Sequence, residues 1–151
     1  QRTAACGILT GGHIILGLPG ETHDTMVAQA GMLSELPLST LKIHQLQLIR
    51  GTRMAHEYEE NPTGFHLFRE VDEYIDLVID YVEHLHPDLV LERFVSQSPK
   101  ELLIAPDWGL KNYEFVTRLQ KRMKERGAYQ GKKYRDSEKR VIFAEDNFTT
   151  E

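Results

Sequence analysis

The sequence contains few of the residues that build covalent cross-links and metal clusters. Its 151 residues include one cysteine, Cys6. A single cysteine excludes a disulfide within the chain and fits a reducing compartment, so we expect a cytoplasmic protein. It also excludes a zinc or iron–sulfur site made of several cysteines of this chain. No apolar run approaches the roughly 20 residues that a membrane helix needs, so we expect no membrane partner.

Several widespread catalytic motifs are also missing. The sequence has no G-x-x-x-x-G-K-[ST] phosphate loop, no G-x-S-x-G nucleophile turn and no H-E-x-x-H metal motif. These absences exclude the chemistry that each motif supports. The remaining composition, 40% hydrophobic and 27% charged residues, is typical of one globular domain with its own core.

The charges are unevenly distributed along the chain. Of the 18 Lys and Arg residues, 11 lie in residues 111–140, whereas residues 1–110 carry 16 of the 23 Asp and Glu residues. A basic segment on an acidic body is typical of a nucleic-acid-binding surface or of the solvated side of an amphipathic helix. Charge alone favours the solvated helix without excluding the other interpretation.

Apolar periodicity predicts alternating strands and helices. We predict strands at 12–18, 41–49 and 89–95, helices at about 22–36, 71–85 and 112–126, and an extended or mobile tail beyond residue 127. Thr22 is expected to cap the first helix and Pro37 to end it. This alternation is typical of parallel α/β structure, in which the loops after the carboxyl ends of the strands build the ligand site.

The segment HIILGLPGET, residues 13–22, joins a predicted buried strand directly to a predicted helix. Gly17 and Gly20 allow the backbone to approach a ligand closely, and Pro19 fixes the turn. Glu21 and Thr22 stand at the start of the helix, where free N–H groups bind polar ligand atoms. A tight turn without any ligand explains the segment too, and the shortness of the glycine motif favours that interpretation.

Four longer segments agree in order and spacing with one protein family: HIILGLPGET, KIHQLQLIRGT, ERFVSQSPKELLIAPDWGLKNYEF and RLQKRMKERGAYQG. From about residue 7 to residue 134 the chain resembles the C-terminal half of YhcC-like radical S-adenosylmethionine proteins. These are proposed bacterial Fe–S oxidoreductases, related to the catalytic subunit of elongator.

The resemblance implies one half of a partial (β/α)6 barrel, similar to a TIM barrel, with parallel strands. In that fold, three closely spaced cysteines hold a [4Fe–4S] cluster that cleaves S-adenosylmethionine to a 5′-deoxyadenosyl radical. Those cysteines are absent here, and three of the six strands are predicted. We therefore expect residues 1–110 to form the second half of the barrel and residues 111–151 to form a family-specific helix and tail. The cluster is then bound by residues outside this chain, and the chain alone is inactive.

The resemblance also implies adenine contacts in the first predicted strand. Radical S-adenosylmethionine enzymes often carry a loose G-x-I-x-G-x-x-E pattern on the fifth barrel strand. Ile15 and Gly17 match two of its positions, whereas His13 and Gly20 stand where Gly and Glu are expected. We carry over Ile15, Gly17 and the adjacent Leu18 as candidate adenine contacts. An ordinary core position explains Ile15 about equally well.

The second and third predicted strands are too polar for strands that helices cover on both faces. In LKIHQLQLI, we expect Lys42, His44 and Leu46 to face one way, and His44 and Gln47 to line the ligand cavity; a neutral structural imidazole is the alternative for His44. In LVLERFV, Arg93 suits the carboxylate of S-adenosylmethionine or a substrate anion, although a salt bridge explains it equally well.

Polar and aromatic residues follow the third predicted strand. Ser96, Gln97 and Ser98 fall at its carboxyl end, where substrate loops lie. Trp108 and Tyr113 are expected to pack the last helix against the barrel, with nucleobase stacking as the alternative. No catalytic residue and no metal ligand is assigned.

Two functions of different classes remain. In the first, the chain shapes the S-adenosylmethionine and substrate side of a radical enzyme whose substrate is RNA or a small metabolite. In the second, it is a non-catalytic module that binds RNA through basic residues, namely Arg118 to Arg126, Lys132, Lys133 and Arg135. The sequence does not predict the oligomeric state.

Overall fold

The computed structural model describes residues 1–135. In chain order the elements are α1 (Arg2–Ala5), β1 (Gly11–Leu16), α2 (His23–Ser34), β2 (Thr40–Gln45), β3 (Leu48–Ile49), α3 (Arg53–Glu60), a 3₁₀ turn (Pro62–Gly64), α4 (Val71–His84), β4 (Val90–Arg93), β5 (Leu103–Ala105) and α5 (Asn112–Arg126). The three predicted helices are present, and each predicted strand position holds a strand. Within residues 1–135, no helix combines the length and apolar character needed to cross a bilayer.

The principal sheet is parallel, as predicted. Its strand order is β1-β2-β4, and β1 pairs with β2 from Gly11 beside Thr40 to Leu16 beside Gln45. Burial alternates along β2, with Leu41 buried and its neighbours partly exposed. One face of the sheet is therefore packed and the other is accessible. We call the accessible side the open face; its partly or fully exposed side chains are those of His13, Ile15, Lys42, His44, Glu92 and Arg93, the last being the register partner of Lys42.

The packed face carries the main core. Leu16 and Ile43 from the sheet are fully buried, and helix α4 packs seven buried residues into the same core. Helix α2 begins where the sequence predicts, because the Thr22 hydroxyl accepts a hydrogen bond from the Thr25 amide. Helix α5 contributes Phe115 to this core. The division of the chain at residue 110 stays a prediction.

The prediction of one strand over residues 41–49 was wrong. Strand β2 ends at Gln45, and β3 pairs antiparallel with β5 in a separate two-stranded sheet. Leu46 and Leu48 are buried in a second, smaller core together with Leu67 and Ala105. The apolar alternation changes phase at this break, from Leu41 and Ile43 to Leu46 and Leu48, so the sequence marks the irregularity without showing that the partner strand changes.

The first part of the predicted tail is packed. Residues 128–135, here the C-terminal segment, lie against the end of α4: the amide of Gly131 donates to the carbonyl of Val82 at 3.1 Å, and that of Lys133 to Glu83 at 2.7 Å. The Glu83 carbonyl lies at the helix end, where carbonyls lack intrahelical partners, whereas the Val82 carbonyl also accepts from the amide of Leu85 at 3.2 Å. The expectation of an extended or mobile tail was wrong for this segment, and residues 136–151 lie outside the described part of the chain.

Candidate functional site

The turn after β1 depends on glycine for steric reasons. Gly17 and Gly20 have φ angles of +91° and +82°, in the region that side chains disfavour. A Cβ atom on Gly17 would lie 2.8 Å from Cε2 of Phe68, whereas one on Gly20 would meet no atom within 4 Å. Gly17 is thus required by its backbone angle and by the close approach of a buried aromatic ring.

A carboxylate of the chain itself occupies this turn. Oε2 of Glu21 accepts hydrogen bonds from the amides of Gly17 at 2.9 Å and Leu18 at 2.8 Å, and Oε1 accepts one from Nε2 of Gln29 at 2.6 Å. Two N–H groups near the expected ligand therefore already have a strong acceptor. The sequence identified Glu21 only as a residue at the helix start and missed this role.

The three candidate adenine contacts lie in different surroundings. Ile15 projects onto the open face, where its side chain is 46% exposed. Gly17 begins the turn, and Leu18 packs against the smaller core. An isoleucine left so exposed beside polar neighbours provides an apolar surface that a flat ligand could cover. The assignment of all three residues to adenine stays a prediction.

Two histidines and a serine form a continuous chain of hydrogen-bonding atoms. Nε2 of His44 lies 3.4 Å from Nδ1 of His13, and Nδ1 of His44 lies 2.9 Å from Oγ of Ser96. The two imidazole rings stack with centroids 5.5 Å apart. Burial, followed by the positive charges of His13, Arg93 and Lys42, lowers the pKa of His44. His44 is therefore neutral at neutral pH.

The remaining charges of the open face are paired, with one exception. Nζ of Lys42 lies 3.1 Å from Oε2 of Glu92, and hydrogen bonds from Lys42 and then Thr40 lower the pKa of Glu92. Arg93 is the exception: it has no ion pair and no side-chain hydrogen bond to any of residues 1–135. The alternative of a structural salt bridge for Arg93 is therefore not seen within this range.

A cavity of about 290 Å³ lies beyond the carboxyl ends of β2 and β4, lined by Gln47, residues 95–98 and residues 106–111 among others. Oε1 of Gln47 accepts a hydrogen bond from the Ser98 hydroxyl at 2.8 Å. Gln45 is only 3% exposed, and its Oε1 accepts a hydrogen bond from the amide of Ser96 at 2.7 Å. His44 and Gln47 therefore lie in adjoining places, the open face and this cavity, which the segment at residues 96–98 connects.

The turn after β1 and the cavity beyond β2 and β4 both lie at the carboxyl-terminal edge of the parallel sheet. This is the edge at which α/β proteins place their ligand sites. Residues 38–125 of the chain match the family model described as the Radical_SAM C-terminal domain. The chain belongs to this family.

Relatives of this radical SAM C-terminal domain are longer proteins. The chain is 36% identical over 126 residues to the uncharacterised protein YtqA of Bacillus subtilis, covering 83% of the chain and 38% of YtqA. It is 24% identical over 122 residues to the protein YhcC of Escherichia coli K12, covering 80% of the chain and 38% of YhcC. The chain thus spans less than two fifths of these relatives.

The fold agrees with a solved structure. The archaeal Methanocaldococcus infernus Elp3 with an N-terminal deletion superposes with a TM-score of 0.70 at 14% identity, covering 86% of this chain and 30% of that one. This likeness shows that the two chains share the same α/β fold. The identification as a YhcC-like radical SAM C-terminal fragment is confirmed.

A [4Fe–4S] cluster, which the family generally uses, does not fit the residues of this domain. Its one cysteine, Cys6, is exposed, and no group of three or more His, Cys, Asp or Glu side chains within residues 1–135 could hold a metal ion. S-adenosylmethionine does fit, because the open face offers exposed apolar surface at Ile15 and an unpaired guanidinium at Arg93.

Four of the eight basic residues of the predicted RNA surface are paired with acids of α4. Nη1 of Arg122 lies 3.1 Å from Asp76, and Arg126 contacts Asp80. Glu83, only 2% exposed, holds Lys132 and Lys133. The exposed residues Arg118 and Lys124 have no ion pair within residues 1–135. This arrangement is that of an amphipathic helix neutralised on one side.

Of the two aromatic residues predicted to pack the last helix against the sheet, one is packed and the other is exposed. Trp108 packs as predicted: its ring stacks on Phe115, and its indole N–H donates to the carbonyl of Phe68 at 2.8 Å. Tyr113 is 64% exposed, so the expectation that it packs the helix against the sheet was wrong. Tyr113 lies on the outer side of α5, and Trp108 precedes that helix. The apolar periodicity of α5 therefore could not distinguish the two residues.

Proposed function

We propose that this chain is the part of a radical S-adenosylmethionine enzyme that receives the cofactor and the substrate on the open face of its parallel sheet. The [4Fe–4S] cluster is then held by residues outside this chain. The observation that carries the proposal is the open face itself, where an exposed isoleucine, a histidine pair and an unpaired arginine lie together on a sheet of the confirmed family.

An accessible face is unusual for a parallel sheet, since helices normally cover both sides. Here α2 and α4 cover one side, and Ile15 on the other side is left 46% exposed. Burying an isoleucine side chain contributes about 1.5–3 kcal/mol. Because Ile15 is already about half covered, a ligand that covers the rest gains about half of this contribution, and the planar adenine of S-adenosylmethionine has the required apolar surface.

Arg93 supplies the complementary polar contact. A guanidinium presents a planar fork of donors that matches a carboxylate, and Arg93 has no competing acidic partner among residues 1–135. The methionyl carboxylate of S-adenosylmethionine or an acidic substrate group is a suitable ligand. S-adenosylmethionine, when bound beside a reduced cluster, supplies a radical that abstracts a hydrogen atom. The residues of this chain bind and orient the cofactor and line the substrate side.

The test uses the full-length gene product, reconstituted anaerobically with iron and sulfide and reduced with dithionite. We expect about four irons per protein, the content of one [4Fe–4S] cluster, and 5′-deoxyadenosine above a no-protein control. Calorimetric titration with S-adenosylmethionine should show binding that Ile15→Asp weakens about 10-fold or more, because the apolar contact is lost. The matched control is Met32→Asp, which changes an exposed apolar residue of α2.

Arg93 is tested in the same titration. Arg93→Gln should weaken binding of S-adenosylmethionine, whereas Arg53→Gln, at an exposed arginine of α3, should not. No cluster, no cleavage and no binding would contradict the proposal. The RNA-binding module would then be the leading hypothesis, with the unpaired Arg118 and Lys124 as its first candidates. The proposed substrate of the full-length enzyme is either RNA or a small metabolite.

A further inference from the structure

We propose that His13, His44 and Ser96 form a proton relay that connects the open face to the cavity of about 290 Å³. The inference rests on the proposed function and deepens it: the relay serves a substrate that gains or loses a proton in the same turnover as it loses a hydrogen atom. Such substrates carry an ionisable group, such as an amine or a hydroxyl, at or beside the reacting carbon.

The relay is built from three separate elements, so it is a tertiary feature. His13 comes from β1, His44 from β2 and Ser96 from the loop after β4. The two nitrogens of the central imidazole each face one partner, Nδ1 of His13 at 3.4 Å and Oγ of Ser96 at 2.9 Å. A neutral imidazole has one donor and one acceptor nitrogen. It can therefore accept a proton on one side as it releases one on the other.

The proton count balances at each atom. A proton passes from Nδ1 of His13 to Nε2 of His44 as the proton on Nδ1 of His44 moves to Oγ of Ser96. The hydroxyl proton of Ser96 moves in turn to a basic group of the ligand in the cavity. His44 ends neutral in its other tautomer, and His13 has lost one proton to the ligand. The reverse sequence carries a proton from the ligand to the open face.

The surrounding charges prevent the relay from trapping a proton at its centre. His44 is faced by His13 from β1, Lys42 from its own strand and Arg93 from β4, while the carboxylate of Glu92 is engaged by Lys42. Burial is the main reason that an imidazolium at His44 is disfavoured, and these positive neighbours add to it. On the far side of Ser96 the cavity is lined by two cations and one anion, Lys100, Lys111 and Asp107.

Ser96 is held in place independently of His44. Its amide donates to Oε1 of the buried Gln45 at 2.7 Å, and its carbonyl faces Nε2 of the same side chain at 3.4 Å. A serine fixed through its backbone presents its hydroxyl in a constant direction, which is what a relay requires.

The relay is tested by NMR of the full-length gene product labelled with ¹⁵N-histidine, with each signal assigned by its loss in a single variant. The tautomer and the pKa of His44 are measured in the wild type, His13→Gln and Ser96→Ala. His13→Gln should raise the pKa of His44, because a positive neighbour is removed, and both variants should change its tautomer ratio. The matched control is His56→Gln, at an exposed histidine of α3, which should change neither quantity.

The possible outcomes separate the relay from the proposed function. An unchanged titration and tautomer ratio of His44 in His13→Gln and Ser96→Ala would overturn the relay, even in a protein that forms 5′-deoxyadenosine. Coupled titration in a protein that forms no 5′-deoxyadenosine would support the relay geometry and overturn the proposed function. Loss of fold in one variant is recognised from the remaining histidine signals, and the other variant then decides.

Discussion

Replacement of Gly17 by alanine tests whether the turn after β1 is shaped by its backbone angle and by the ring of Phe68. A non-glycine residue at the φ of +91° costs about 1–2 kcal/mol. The new Cβ would also lie 2.8 Å from the ring edge. Phe68 is 3% exposed and packs against the rings of His66 and Tyr74, so it cannot swing aside freely. Overpacking of this kind costs about 1–3 kcal/mol more.

Two other glycines separate these contributions. Gly20→Ala carries the same backbone penalty, with φ at +82° and no atom within 4 Å of the added Cβ. It should destabilise by about 1–2 kcal/mol. Gly31 lies inside α2 with open space around it, so Gly31→Ala should stabilise by about 0.5–1 kcal/mol. Gly17→Ala should cost about 2–5 kcal/mol, the two penalties together.

The assay is urea unfolding followed by circular dichroism. With a slope of about 1–3 kcal/mol per molar urea, Gly17→Ala should lower the midpoint by about 1 M or more, and Gly20→Ala by clearly less. Phe68→Leu removes the ring edge, so the double variant should recover part of the loss in a double-mutant cycle. Equal midpoints for Gly17→Ala and Gly20→Ala, or strict additivity with Phe68→Leu, would refute the assigned role of the ring.

Three further predictions concern the charged and titratable residues. Glu83→Gln should destabilise by about 1–3 kcal/mol, because a buried carboxylate that holds two lysines is lost, whereas Glu57→Gln on exposed α3 should stay within about 0.5 kcal/mol; equal urea midpoints would contradict this. The pKa of His44 is lowered in the folded state, so the unfolded chain binds more protons from that pKa up to the ordinary histidine value of 6.5, and stability falls as pH drops through this interval. His44→Gln should remove that part of the loss, and parallel pH dependences of the two midpoints would count against it. Arg122→Glu should lower stability and Lys124→Glu should not, since only Arg122 is paired with α4; salt-dependent RNA binding lost in Lys124→Glu would favour the RNA-binding alternative.

Local signals predicted the main elements well. The strand that ends at Leu16, the cap at Thr22 and the long apolar pattern of α4 each have a cause within a few residues of chain. Strand β5 has no such cause, because Leu103–Ala105 is short and pairs with the even shorter strand β3, far away in sequence. Residues 128–135 were also missed, since their order depends on the end of α4 rather than on their own periodicity.

The candidate site was predicted in part. The excess of polar residues on β2 correctly indicated an accessible side, and it placed His44 there. His13 was overlooked, although an alternating pattern puts it on the same face as Ile15; the signal lies in the register of β1 against β2, which the sequence does not give. The internal role of Glu21 was missed because the sequence cannot show that a side chain folds back onto the amides before it.

The strand order of the principal sheet has a consequence for the behaviour of the chain in solution. Among residues 1–135, β1 and β4 each pair with β2 alone, so each presents a second edge of backbone donors and acceptors to its surroundings. An uncovered edge recruits further strands. At high concentration the separate chain should therefore self-associate by edge pairing, and a polypeptide that adds a strand beside β1 or β4 would compete with that aggregation.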